Sequence, residues 1–129
     1  MFAVDHAEHD DLTYGIIGAA MRVRSIKGPG MLEMTYQRFL CHELRKRGFQ
    51  VQSQPRIPSK YDDLVVEDAF RPDIIVNQTI IVEVKAVAKL LQIHRAQLVT
   101  YLVESALQTG LLFNFNEVPF KNGIRRISI

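Results

Sequence analysis

The segment RPDIIVNQTIIVEVKAV, residues 71–87, sets charges where its apolar pattern calls for core: Asp73 opens one β-branched run, and Glu83 and Lys85 interrupt the next. An unpaired charge in apolar surroundings costs several kcal/mol or more, so these positions require a reason. Side chains alternate along a strand, which puts Glu83 and Lys85 on one face and Val82, Val84 and Ala86 on the other. In an antiparallel hairpin Asp73 joins the Glu83 face only if paired positions sum to an even number. An odd loop such as Asn77-Gln78-Thr79, or a bulge, meets that condition, and a three-residue loop places Asp73 opposite Glu83. Two carboxylates at that separation repel unless a cation lies between them, and Mg²⁺ is commonly held by one or two carboxylates, water and substrate phosphate. The spacing therefore predicts a metal site, with Lys85 placed to orient an attacking water or to stabilise charge on a phosphate in transfer. The alternative is a buried ion pair in which Lys85 neutralises Glu83 and Asp73 caps a turn.

The flanking pattern supplies elements to carry these residues. After caps at Asp10 or Asp11, Leu12, Ile16, Ala19, Ala20, Val23 and Ile26 recur at helical spacing until Gly28-Pro29-Gly30. A second helix runs from Met31 to Gly48 with Leu32, Tyr36, Phe39, Leu40 and Leu44 on one face. Strands are expected over Phe49–Ile57, at a sheet edge, and over Leu64–Phe70, with a polar stretch around Ser59-Lys60-Tyr61-Asp62-Asp63 between them. The Asp73–Val87 segment, a helix over Leu90–Leu107 and a buried strand at Gly110–Phe115 follow, and Gly123–Ile129 can add one more edge. The order ααβββαβ predicts an α/β (α+β) fold, a mixed central sheet flanked by helices.

A chain of 129 residues fits a single domain over 1–129, with residues 1–10 expected as a flexible tail in which His6 and His9 are solvated. Hydrophobic residues at 47% and charged residues at 23% exclude the composition of a disordered chain. The single cysteine, Cys41, excludes an intramolecular disulfide and a four-cysteine zinc site and suits a reducing, cytoplasmic setting. No secretory signal and no membrane-spanning apolar run is read from the sequence. A net charge of +2 leaves any basic footprint to local clusters, of which Arg45-Lys46-Arg47 and Arg125-Arg126 are the densest.

Pro72-Asp73, nine residues, then Glu83-Val84-Lys85 resembles the PD-(D/E)XK nuclease signature, and the element order contains the restriction-endonuclease-like core of that superfamily. Gly30-Met31-Leu32-Glu33-Met34-Thr35-Tyr36 resembles the motif of its GxxExxY family, and the similarity extends from about Ile16 to Ile127. The resemblance implies that Asp73 and Glu83 are metal ligands, that the Val84 carbonyl is a third, and that Lys85 is the catalytic lysine, with Mg²⁺ or Mn²⁺ as cofactor. It also gives a catalytic part to Glu33, which helical geometry sets between Leu40 and Leu44, facing the sheet; the alternative is an acid suited to a first helical turn. Glu43 shares that face and is expected to pair with a neighbouring basic side chain. His94, Gln97 and Tyr101 form an i, i+3, i+7 stripe. Gln97 and Tyr101 resemble the third motif of RecB-like members, which implies nucleic-acid contact, and His94 is a further candidate for it. Arg24 and Asn116 depart from the family pattern, as altered substrate contacts or as surface drift.

The leading functional expectation is a metal-dependent nuclease without evident sequence specificity, acting on nucleic acid, with DNA favoured over RNA but the two not told apart, with no membrane partner and with a homodimer left open. The alternatives are a non-catalytic nucleic-acid- or protein-binding module that keeps the fold, and metal-dependent chemistry on another phosphate ester.

Overall fold

Apolar residues repeating at helical spacing build two antiparallel neighbours at the start of the chain. The structure is a computed structural model, which describes residues 6–129. Helix α1 (His6–Lys27) begins one turn ahead of the expected caps at Asp10 and Asp11. Residues 1–5 and the side chains of His6 and His9, named above as a tail and as solvated histidines, lie outside the described residues. Ile16, Ala19, Ala20 and Val23 bury the inner face of α1, whereas Ile26 is exposed, so the apolar stripe ends one turn early. Helix α2 (Glu33–Lys46) turns Tyr36, Gln37, Leu40, Cys41 and Leu44 inward.

The central sheet contains β1 (Val51–Ser53), β4 (Ile74–Val76), β5 (Ile80–Lys85), β6 (Thr109–Asn114) and β7 (Ile124–Ser128), in the order β1-β4-β5-β6-β7. Neighbours are antiparallel except β5 and β6, which run parallel and are joined through helix α3 (Gln92–Ser105). Strand alternation then sorts the core into two layers. Ile74, Val76, Ile80, Val82, Val84, Leu111 and Phe113 pack against α1 and α2. Ile75, Ile81, Leu112 and Ile127 pack against Leu98 and Leu102 of α3. A Cβ at Gly110 would stand 2.8 Å from a Leu98 methyl, so glycine there lets α3 approach the sheet. This is the expected mixed, helix-flanked sheet.

Two strands differ from expectation. β1 stops at Ser53 because Gln54 takes φ 50° and Pro55 follows. Residues 57–61, read as partly loop, form β2 (Ile57–Tyr61), which pairs with β3 (Leu64–Phe70) in a separate two-stranded sheet. From Leu64 to Ala69 every β3 residue is exposed, so this strand has no face to bury and stays out of the central sheet. The hairpin leaves and rejoins the core at one point, where the Gln54 amide donates to the Asp73 carbonyl at 2.9 Å. Phe70 stacks on Tyr101 of α3, ring centres 4.7 Å apart, and the Ser59 hydroxyl donates to the Glu104 carboxylate at 2.8 Å.

The turn between α1 and α2 is tied down from three sides. Gly28 and Gly30 both take positive φ, at 70° and 103°, which favours glycine. The Tyr36 hydroxyl donates to the Gly28 carbonyl and accepts from the Met31 amide, while its ring stacks on Phe115 at 4.5 Å. Arg24 donates to the carbonyls of Phe115 and Glu117, and the Asn116 side chain accepts from the Gly30 amide. Arg24 and Asn116 thus lock this turn to the end of β6 rather than drifting on the surface. Tyr36→Phe keeps the ring stack and strands both backbone groups, so we expect a loss of about 1–2 kcal/mol. Urea titration should show a lower midpoint at unchanged slope; an unchanged midpoint would mean that solvent replaces the hydroxyl.

Candidate active site

The β4–β5 hairpin closes through Asn77-Gln78-Thr79, pairing Val76 with Ile80, Ile75 with Ile81 and Ile74 with Val82. One step further, this register sets Asp73 opposite Glu83, on the α3 side of the sheet, as the parity of the spacing predicts. Backbone amides fix both carboxyls: Glu83 Oε1 accepts from the Asp73 amide at 2.9 Å, and Asp73 Oδ2 accepts from the Val84 amide at 2.8 Å. Glu83 is only 3% exposed, and Asp73 is half-buried.

This placement suppresses ionisation. Burial, followed by the Asp73 charge, pushes the Glu83 carboxyl up to about 8, against the opposing pull of the Asp73 amide and Lys85. Burial also raises Asp73, opposed by the Val84 amide and Lys85. Lys85 does not close an ion pair with either acid: among the described residues no salt bridge within 4.0 Å joins them, and Lys85 Nζ instead donates to Gln97 Oε1 at 3.4 Å. The ion-pair alternative therefore lacks its central contact.

The other sequence candidates distribute around this pair. Gln97 Nε2 donates in turn to the Tyr101 hydroxyl at 3.0 Å, linking Lys85 to the stripe on α3. Burial, then the charges of Glu83 and Asp73, raise the Tyr101 phenol. Glu33 is exposed rather than wedged between Leu40 and Leu44, because it is the first residue of α2 and reaches the backbone just past the end of β5. From there its Oε1 accepts from the Ala86 amide at 3.1 Å, and its charge adds to the rise of Asp73. His94 Nδ1 accepts from the Leu91 amide at 3.0 Å, a bond that caps α3. Glu43 pairs with Arg47 at 2.8 Å, as expected.

Asn114 was not singled out from the sequence. It is fully buried at the register position beside Lys85, and its side chain bonds both the amide and the carbonyl of Val87. With the Phe115 amide donating to the Lys85 carbonyl at 2.8 Å, it holds the backbone that leaves β5. A polar residue inside the apolar run Leu111–Phe115 was the available signal.

Two carboxyls that burial holds back from ionising, one of them raised further by the other's charge, form a hard-oxygen donor set that a divalent cation would stabilise. Among the described residues no three His, Cys, Asp or Glu side chains converge as a cage. An ion at this site would complete its shell from backbone, water or substrate.

The pH dependence follows in sign. Between the ordinary glutamate value of 4.5 and about 8, the unfolded chain releases a proton that folded Glu83 keeps. Stability of metal-free protein must then fall as pH rises through that window and level off above it, with a slope of at most about 1.4 kcal/mol per pH unit from this group. Asp73 contributes with the same sign. Melting in chelator from pH 5 to 9 should show the decline, and Glu83→Gln should flatten most of it; a melting temperature that rises with pH would contradict the buried, repelling pair.

A family model of the PD-(D/E)XK nuclease superfamily matches residues 10–127. No curated protein and no solved structure matches the chain. Nucleases of this superfamily generally use divalent metal ions. As the match runs from α1 through the Asp73–Glu83 hairpin and α3 to β7, the chain belongs to the PD-(D/E)XK nuclease superfamily.

Proposed function

We propose that this chain is a metal-dependent nuclease that hydrolyses phosphodiester bonds of nucleic acid. The observation that carries the reading is the opposed Asp73–Glu83 pair with Lys85 held beside it by Gln97 rather than neutralised against it. Asp73 and Glu83, with the Val84 carbonyl, would hold Mg²⁺ or Mn²⁺, which when bound lowers the pKa of a coordinated water and polarises the phosphate. Lys85 then orients the attacking water or meets the charge developing on phosphate, and Gln97 fixes its ammonium. Glu33 adds a carboxylate at the open rim beside Ala86. Gln97 and Tyr101 line the α3 side, as in the third motif of RecB-like members, where the exposed strip of α3 can meet nucleic acid. His94 serves there chiefly as the cap of α3.

The finer placement in the GxxExxY family rests on Gly30, Glu33 and Tyr36, whose roles as turn, rim acid and brace make the motif a single device. All the proposed residues come from one chain, so a homodimer would duplicate the site rather than complete it. The free, buried Cys41 suits a cytoplasmic setting.

Incubating the chain with single- and double-stranded DNA and RNA, with Mg²⁺, Mn²⁺ or chelator, tests the reading and separates DNA from RNA. We expect cleavage only with metal, reduced about 100-fold or more in Lys85→Ala. Millimolar Mn²⁺ should raise the melting temperature of the parent and not of Glu83→Gln, which should itself melt no lower than the parent in chelator. Metal-independent melting together with a strongly destabilised Glu83→Gln would instead identify a structural ion pair. Binding of nucleic acid without cleavage of any substrate would identify a non-catalytic module.

A further inference from the structure

Away from the acidic pair, α2 carries Arg38, His42 and Arg45 at i, i+4 and i+7, one basic stripe along the helix. Together with Cys41 and Ser53 at the end of β1, these residues line a cleft of about 330 Å³ that contains no acidic side chain. Arg38 and His42 continue into a neighbouring cleft with Thr35 and Phe39.

The charge of this cleft is not compensated. Among the described residues four arginines have carboxylate partners, Arg47 with Glu43, Arg56 and Arg71 with Asp68, and Arg126 with Asp10, and the others do not. Among the described residues neither Arg38 nor Arg45 has a carboxylate within 4.0 Å. The hydrogen bond that Arg45 makes is a long one, 3.4 Å, to the Val51 carbonyl. Arg45 stands in the last turn of α2, where a cation suits the helix dipole, whereas mid-helix Arg38 has no hydrogen-bond or carboxylate partner among the described residues. Arginine in pairs matches a phosphate group, which accepts several charge-assisted hydrogen bonds at once.

The cleft also shares a wall with the acidic site. Gln37, adjacent to Arg38, donates to the Asp73 carbonyl at 3.1 Å, and so does the amide of Gln54, which follows Ser53. The Asp73 peptide thus has its carboxylate on the α3 side and its carbonyl toward the cleft. β1 is the edge strand and is separated from β5 by one strand, so a nucleic-acid strand that rounds this edge can reach both the cleft on the α2 side and the acid pair on the α3 side.

We propose that the cleft lined by Arg38, His42, Arg45 and Ser53 is a phosphate subsite that holds a non-scissile backbone phosphate of the nucleic-acid strand entering the acidic site. The proposal rests on the nuclease reading for its substrate. It answers a problem which that reading creates: a doubly acidic centre repels the polyanion that it must receive, and a positive anchor close by offsets the repulsion.

The test measures binding of labelled single- and double-stranded oligonucleotides in chelator, where no cleavage occurs, across a salt series. The proteins are the parent, Arg38→Gln, the double variant Arg38→Gln/Arg45→Gln, and Lys121→Gln as a control at an exposed lysine between β6 and β7. The double variant should bind about tenfold more weakly, with a salt slope smaller by about one, while the control matches the parent. Matching melting temperatures, with Arg38→Gln as the milder variant, separate lost binding from lost folding. If the double variant binds with the parent's affinity and slope, the subsite is overturned even if the parent cleaves. If the parent fails to cleave in metal yet its binding depends on Arg38 and Arg45, the subsite stands and the nuclease reading fails. Inorganic phosphate provides the remaining arm: stabilisation of the parent alone by millimolar phosphate, with oligonucleotide binding unchanged in the variants, would make the cleft a free-phosphate site and overturn its assignment to nucleic acid.

Discussion

That the carboxyls of Asp73 and Glu83 are held together where burial opposes the ionisation of both is the constraint on which the rest of the site depends. The hairpin register brings them face to face, and two backbone amides keep them there. Lys85 could form an ion pair with either acid, but Gln97 engages its ammonium. The apolar layers on both faces of the sheet then supply the stability that this arrangement withholds. Asn114 acts in the same sense, since a rigid backbone after Lys85 prevents the strand end from relaxing away from the acids.

The motif residues of the α1–α2 turn work through backbone rather than through chemistry. Gly30 permits the bend, Tyr36 braces it, and Arg24 and Asn116 fasten it to the end of β6. The same fastening delivers Glu33 to the amide of Ala86, one residue beyond Lys85. A rim acid on a helix and a lysine on a strand thereby acquire a fixed relation although 51 residues lie between them in sequence.

Much of the acidic site was legible because side-chain alternation has a period of two and the Asp73-to-Glu83 spacing admits few registers. The helices were legible from their apolar repeats. What could not be read depends on partners distant in sequence. Leu64, Val65 and Val66 have the composition of a buried strand, yet they lie on the β2–β3 hairpin, and composition cannot say which sheet a strand joins. Helical spacing turned Glu33 toward the sheet, but it could not show that the first residue of α2 reaches the backbone just past the end of β5. The run Arg45-Lys46-Arg47 suggested one basic cluster; helical rotation instead gives Arg47 to Glu43 and joins Arg45 to Arg38 and His42. Arg24 and Asn116 bond to backbone atoms that carry no residue-specific signature.

The bond from the Gln54 amide to the Asp73 carbonyl makes residues 55–72 an excursion whose two ends meet at a single point. Anything closing that short gap would leave the central sheet and the acid pair geometrically intact. The hairpin is thus modular: it can be lengthened, trimmed or exchanged without resetting the register of β4 and β5. Its ring and polar ties, Phe70 to Tyr101 and Ser59 to Glu104, are made to α3, and Ile57 packs against the core layer on that side. An appendage attached in this way gives evolution a place to vary what reaches the site while its chemistry is inherited unchanged.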